Sequence, residues 1–343
     1  MSYFPHGRNG PTSITILPTY RCTASCEQCC FGSNPHLKEQ LTKAEIFDVI
    51  QQAKDNFHTV KQIVFSGGEC LMLGDDLFDS VRFAHSLGLK TRIVSNGYWG
   101  HSKNKAKKIA MTLRDCGLSE INISTGRDHA QFVSIDAVLN ALTATTNEGI
   151  FSLITVEKDA SDSAVIEMIQ NDSRFKALEE LGSSTFRFQI NSWMKFNEGH
   201  KDRGTTKNEI KKLNTPCQQL FSNLVVTPHK NISACCGLTF EHIPEMRIGS
   251  TDHTKLTDAF NSVANDFVKI WILMDGPDGV VRKVYDDAPP EKLISNDHMC
   301  DTCARMHKCE TTRELIRKRY LEFYPEVMMR YEIKNFVEGT IRI

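Results

Sequence analysis

From residue 13 to about 190, short apolar runs alternate with longer stretches in which apolar residues recur every three or four positions. That alternation predicts repeated strand-helix units around a parallel sheet. Six strands are expected, at Ser13 to Leu17, Gln62 to Phe65, Thr91 to Ser95, Glu120 to Ser124, Phe151 to Val156 and Thr185 to Ile190. The first helix announces itself by a capping box, Thr42 with Glu45 three residues on, and Ile46, Phe47, Ile50, Ala53 and Phe57 fall on one of its faces. Gly88, Gly117 and Gly149 each stand just before a strand, where a helix C-cap is wanted.

In parallel βα barrels the variable loops at the C-terminal strand ends carry the chemistry. Four successive loops of this kind hold distinctive residues here. Cys22, Cys26 and Cys29 follow the first strand in a C-x3-C-x2-C spacing, Gly67-Gly68-Glu69 follows the second, Ser95-Asn96-Gly97 the third and Ser124-Thr125-Gly126 the fourth. Three soft thiols fall one short of the four ligands an iron-sulfur cluster takes, and an iron with an open position binds a small molecule. The competing reading of the same thiols is a structural zinc knuckle, for which Cys30 and His36 are the nearby extra donors.

Composition narrows the field. The 343 residues allow one large barrel or two ordinary domains. With 41 basic against 42 acidic residues, net charge gives no reason to expect nucleic acid or an anionic membrane as partner. No apolar run is long enough to span a bilayer and the first residues lack a signal-peptide core, so a cytoplasmic location is expected. Twelve cysteines in such a chain point to metal or catalysis and away from a disulfide framework.

The three-cysteine loop followed by Gly67-Gly68-Glu69 resembles the radical SAM superfamily, over about residues 13 to 190. The resemblance implies a 4Fe-4S cluster on Cys22, Cys26 and Cys29, and S-adenosylmethionine chelated at the open iron. It places Gly67, Gly68, Glu69, Asn96 and Ser124 around that cofactor, and it implies an external one-electron reductant such as flavodoxin or ferredoxin. Two positions depart from the family pattern. Gln28 stands where an aromatic residue commonly precedes the third cysteine, and Cys70 stands where proline commonly follows Gly-Gly-Glu. Cys70 reads as a small buried residue or as a thiol that donates a hydrogen atom.

After a polar stretch from Met194 to Pro216 come Cys217, a hairpin pattern from Val225 to Cys235 and Cys236, and then Cys300-x2-Cys303-x5-Cys309. This part resembles the SPASM or twitch extension of many radical SAM enzymes, which holds auxiliary 4Fe-4S clusters. Two fully ligated clusters need eight thiols, and only six lie beyond position 210. One auxiliary cluster on Cys217, Cys235, Cys300 and Cys303 is therefore expected, with Cys309 as a substitute ligand or as a ligand to a second, open-sited cluster and Cys236 as a lesser candidate; a four-cysteine zinc site is the alternative.

The expected architecture is α/β, a partial (βα)6 TIM-like barrel over residues 1–195 with a small α+β iron-sulfur domain over 196–343. Asp275-Gly276-Pro277-Asp278-Gly279 reads as a turn, and Glu314 to Glu332 as a helix interrupted at Pro325. The function implied is C-H abstraction by a 5'-deoxyadenosyl radical, in maturation of a ribosomal peptide or, alternatively, in dehydrogenation of a sugar or cyclitol. A non-catalytic iron-sulfur or zinc protein is a third possibility.

Overall fold

The fold is taken from a computed structural model, which describes residues 10–158, 163–192, 194, 196, 215–235, 240–295 and 298–341. Six parallel strands form in chain order: β1 (Ser13–Ile16), β2 (Gln62–Phe65), β3 (Lys90–Ser95), β4 (Glu120–Thr125), β5 (Phe151–Lys158) and β6 (Phe186–Ser192). Each falls within two residues of its expected bounds. The intervening helices are α1 (Lys43–Asn56), α2 (Asp75–Ser86), α3 (Lys103–Asp115), α4 (Arg127–Ala130), α5 (Ile135–Asn147), α6 (Ala164–Asn171) and α7 (Ser173–Glu180).

Local signals act as their chemistry dictates. Thr42 and Glu45 cap α1 reciprocally, and Ile46, Val49, Ile50 and Ala53 are its buried face. Phe47 lies at the margin of that face and stacks on Phe83 of α2, ring centroids 4.4 Å apart. Gly88, Gly117 and Gly149 all adopt positive φ at the helix ends.

Strand periodicity sorts the side chains to two faces. On β4, Ile121 and Ile123 are fully buried beneath the helix layer, while Glu120, Asn122 and Ser124 occupy the opposite face. That second face is polar and internally paired. Arg92 meets Glu120 at 3.1 Å, Thr155 donates to Asn122 at 2.9 Å and Thr15 donates to Asn223 at 2.9 Å. A concave sheet face paired in this way suits polar contents better than an apolar core.

Among the described residues the sheet does not close and has nine strands, in the order β6-β5-β4-β3-β2-β1-β7-β8-β9. The hairpin of β7 (Asn223–Val226) and β8 (Asn231–Ser233), with β9 (Arg247–Ser250) added, extends the barrel sheet, β7 pairing parallel to β1 from Ser13↔Asn223 to Ile16↔Val226. The second cysteine region is thus tied directly to the strand that delivers the first. Phe260 of α8 (Leu256–Ser262) adds an edge contact to Phe57 at 5.8 Å.

Two expectations at the C-terminal end are corrected. The Asp275–Gly279 signal is a kink inside α9 (Phe267–Val284), where Gly276 takes φ 71°, and a Cβ there would lie 2.1 Å from the Thr215 carbonyl oxygen. Pro325 does not interrupt the last helix. Beyond α10 (Met299–Lys308), α11 runs from Glu310 to Ile341 through the proline, held by Trp271 stacking on Phe323 at 4.9 Å and by the buried Val327 and Tyr331. Proline removes a single backbone donor. Asp275 offsets that loss by joining Trp271 Nε1 (2.8 Å) and Lys283 Nζ (2.9 Å) on α9 to the Arg330 guanidinium (2.7 Å) on α11. No helix among the described residues is long and apolar enough to cross a membrane.

Candidate functional site

The cysteine loop is held against β2 by main-chain bonds. Gly68 N–H donates to Thr19 O and Glu69 N–H to Arg21 O, both at 2.9 Å. The two segments run so close that side chains have no room. A Cβ on Gly68 would lie 2.2 Å from Arg21 O and 2.6 Å from Tyr20 O, and one on Gly67, at φ 108°, would lie 2.5 Å from Thr19 O. What crowds the Gly-Gly pair is the chain's own cysteine loop.

Glu69 is fully buried and turned into the protein. Its carboxylate accepts from Asn96 N–H (2.8 Å), Ser95 Oγ (3.1 Å) and Leu71 N–H (3.2 Å), and Ser95 Oγ accepts in turn from Trp99 Nε1 (3.1 Å). Burial pushes its pKa up to about 7 against the pull of those donors. Glu69 therefore fastens the end of β2 to the end of β3. Asn96 extends the same network to the thiols, its Nδ2 donating to Cys22 Sγ at 3.6 Å and to Thr23 Oγ1 at 3.0 Å.

Cys22, Cys26 and Cys29 lie on this one loop, shaped by Cys29 N–H to Cys26 O (3.2 Å) and Gly32 N–H to Cys29 O (3.1 Å). Further N–H groups point at sulfur, Ala24 at Cys22 Sγ and Ser33 at Cys29 Sγ, both 3.4 Å. Such donors favour thiolate and tune the potential of a thiolate-bound cluster. Burial pushes the Cys22 thiol up to about 11 and raises Cys26 further, with the neighbouring thiols adding to both. These are the properties of a soft donor set that ionises only with a cation present. Among the described residues no three His, Cys, Asp or Glu side chains stand close enough to hold a single metal ion.

A consequence is measurable. Because burial holds the Cys22 and Cys26 thiols protonated at neutral pH, iron loading of the N-terminal site must release their protons and strengthen as pH rises from 7 towards 9. Proton release in weakly buffered anaerobic titrations checks this; loading independent of pH would contradict it.

Cys70 is buried, its thiol directed to the Val94 carbonyl at 3.6 Å. That placement suits the small-buried-residue reading. Ser124 is half-buried at the end of β4. Gln28 is buried and accepts the Phe196 N–H at 2.8 Å, so it ties the segment after β6 to the cysteine loop where an aromatic side chain was expected.

The second cysteines lie on separate segments. Cys217 N–H donates to Ile272 O on α9 at 3.3 Å, Cys235 Sγ lies 3.7 Å from Ser233 Oγ at the end of β8, and Cys300 and Cys303 stand one turn apart on α10, against α9. Cys309 sits between α10 and α11, where a hydrogen bond to Thr312 and backbone N–H groups hold its thiol below the usual value. Cys236 and most of Met194 to Pro216 lie outside the described residues.

Sequence reasoning missed a buried ring of charge on the rim. His129 Nδ1 on α4 lies 3.6 Å from Glu157 at the end of β5, beside the buried Asp128. Burial, the largest single influence, lowers the His129 pKa, but the carboxylates of Glu157, Asp128 and Glu69 together outweigh it and the net shift is upward. Tyr20 hydrogen-bonds Glu241, which Arg247 holds at 3.1 Å; burial and Glu241 push the phenol well above its ordinary value. The available signal was position: His129 follows the end of β4 and Glu157 lies at the end of the adjacent β5. A cavity of about 540 Å³ opens beside Cys26 and Cys29, bordered by Tyr20, Phe31, His229 and Glu241.

The structure thus shows an open, mostly parallel βα sheet with a three-thiol loop at its C-terminal strand ends. Residues 16–157 match the family model described as Radical SAM superfamily. A curated relative, the putative peptide biosynthesis protein YydG of Bacillus subtilis (strain 168), is 28% identical over 130 residues, 38% of this chain and 40% of the relative. The match thus spans two fifths of that relative's length. Among solved structures, native anSMEcpe with bound AdoMet has a TM-score of 0.53 at 12% identity, covering 92% of this chain and 99% of that one. Native anSMEcpe with bound AdoMet and Cp18Cys peptide gives 0.52 at 12% identity, again over 92% and 99%. At such identities the likeness is one of fold. The family implies a 4Fe-4S cluster and S-adenosylmethionine, and the donor set fits: three thiols on one loop, each end of it met by N–H donors.

Proposed function

We propose that this chain is a radical SAM enzyme that modifies a peptide. The observation that carries the reading is the meeting of three strand ends at the thiols: the Thr19 to Arg21 carbonyls bond the Gly68 and Glu69 N–H groups, and Asn96 Nδ2 reaches Cys22 Sγ. When bound, the cluster and S-adenosylmethionine supply a one-electron cleavage and a primary carbon radical able to take hydrogen from an unactivated C–H bond. Cys22, Cys26 and Cys29 would hold that cluster. The protein's part is to hold the pieces still and keep competing hydrogen donors away. Glu69 locks the β2 and β3 ends together, and Cys70, the thiol nearest that lock, is kept against a strand carbonyl.

A peptide is favoured over a small molecule by β6. Among the described residues its outer edge pairs with no strand, and Arg187, Gln189 and Asn191 are exposed. An extended peptide satisfies such an edge by main-chain hydrogen bonds. The relative named as a peptide biosynthesis protein and the neighbour solved with a bound peptide agree with this reading. Residues 196–343 are proposed as an auxiliary domain, with one further cluster on Cys217, Cys235, Cys300 and Cys303.

Iron and sulfide analysis of anaerobically reconstituted protein tests the cofactors. About eight irons per chain are expected, falling to about four in Cys303→Ala, which should still cleave S-adenosylmethionine while losing peptide product. About four irons in the wild type, or zinc in the second site, removes the auxiliary cluster. Peptides encoded beside this gene, screened by mass change, test the substrate.

A further inference from the structure

Resting on the reading above, which consumes one electron from outside, we infer that the first two turns of α3 are the docking surface for a small acidic one-electron carrier protein. The chain as a whole is near neutral, at −1. Yet Lys103, Lys105, Lys107 and Lys108 crowd one short segment, and all four are exposed. Several other basic residues are consumed locally: Lys43 pairs with Asp79, Lys230 with Glu45 and Asp252, Arg174 with Asp136 and Asp172. Among the described residues the α3 lysines enter no ion pair, and Glu148, the acid bordering them, is taken by Arg114. An unneutralised basic patch attracts an acidic partner and speeds its encounter.

A second, independent observation links this patch to the cysteine loop. α3 starts at the β3 rim, and a short chain of contacts joins it to the cysteine loop. Lys105 Nζ lies 5.9 Å from the Tyr98 ring centre, Tyr98 N–H donates to Asn96 Oδ1 at 3.0 Å, and Asn96 Nδ2 donates to Cys22 Sγ at 3.6 Å. A carrier seated on these lysines therefore faces the Cys22 corner of the site. The balance is simple: a reduced flavin on the carrier loses one electron and becomes a semiquinone, the N-terminal site gains that electron, and no atom is transferred.

The test uses reconstituted full-length protein with a flavodoxin as probe. Three forms are compared: wild type, Lys105→Glu/Lys107→Glu/Lys108→Glu, and a charge-matched control at the opposite end of the barrel, Lys54→Glu/Lys61→Glu/Lys90→Glu. Expected is wild-type binding that weakens about tenfold between roughly 50 and 300 mM salt, binding about tenfold weaker in the α3 variant, and no change in the control. Dithionite-driven formation of 5'-deoxyadenosine should be equal in all three, which also reports intact folding. Flavodoxin binding that is salt-insensitive, unchanged in the α3 variant, or equally weakened in the control overturns the docking surface. If dithionite gives no 5'-deoxyadenosine even with wild type, the enzyme reading itself fails, and the electron route falls with it.

Discussion

Cys26→Ala protein, reconstituted and reduced, should release 5'-deoxyadenosine only at background level, with its N-terminal irons lost and its fold retained. Cys26 is the middle thiol of the loop and the one most burdened by its surroundings: burial, then Cys29, Glu157, Cys22 and Asp128, all oppose its ionisation. Metal binding must overcome that resistance, and removing the thiol leaves two soft donors, too few to hold a site-open cluster. The fold should survive because the loop's shape rests on main-chain bonds from Cys29 N–H and Gly68 N–H and not on the Cys26 side chain. Iron content, circular dichroism and nucleoside release, measured together, check the three parts. Wild-type nucleoside yield from the variant would place the chemistry elsewhere.

The second large effect is expected at a residue with no chemistry. Gly68→Ala drives a methyl into two carbonyl oxygens of the cysteine loop, at 2.2 and 2.6 Å, and neither is the movable end of a side chain. Relief requires the loop to leave β2, which breaks the Gly68 and Glu69 main-chain bonds and unseats the Glu69 network. A stability loss of about 3 kcal/mol and little iron uptake follow. Gly149→Ala is the control. Gly149 has positive φ but open space around its Cβ position, so strain of about 1 kcal/mol and normal iron uptake are expected. Denaturant midpoints and iron content distinguish the two; equal behaviour would mean that the close approach at Gly68 is dispensable.

The parallel half of the sheet was legible because each strand is a compact apolar run followed by its own glycine or polar loop, as at Gln62 to Phe65 before Gly67. Strand ends and site loops share one rim, so motif order alone brought Cys22, Gly68 and Asn96 together. Three features were not legible. The pairing of β7 with β1 joins residues about two hundred positions apart, and a four-residue strand carries no signal of its neighbour. β9, Arg-Ile-Gly-Ser, is too polar to read as a strand and exists because β8 offers an edge. The inward turn of Glu69 depends on donors from Ser95 and Asn96 that belong to another loop, so Gly-Gly-Glu by itself cannot reveal that the carboxylate faces the protein. Pro325 misled for a related reason: local propensity marks a break, while Phe323, Val327 and Tyr331 packed on α9 carry the helix through it.

The central claim is that the rim joining β1, β2 and β3 is a site for reductive cleavage of S-adenosylmethionine. The direct measurement is anaerobic incubation of the reconstituted, dithionite-reduced full chain with S-adenosylmethionine, with methionine and 5'-deoxyadenosine quantified by mass spectrometry. Equimolar formation of both, absent without reductant and absent in Cys26→Ala, is the predicted result. A fully iron-loaded protein that binds the cofactor and yields neither product, with or without candidate peptides, would contradict it.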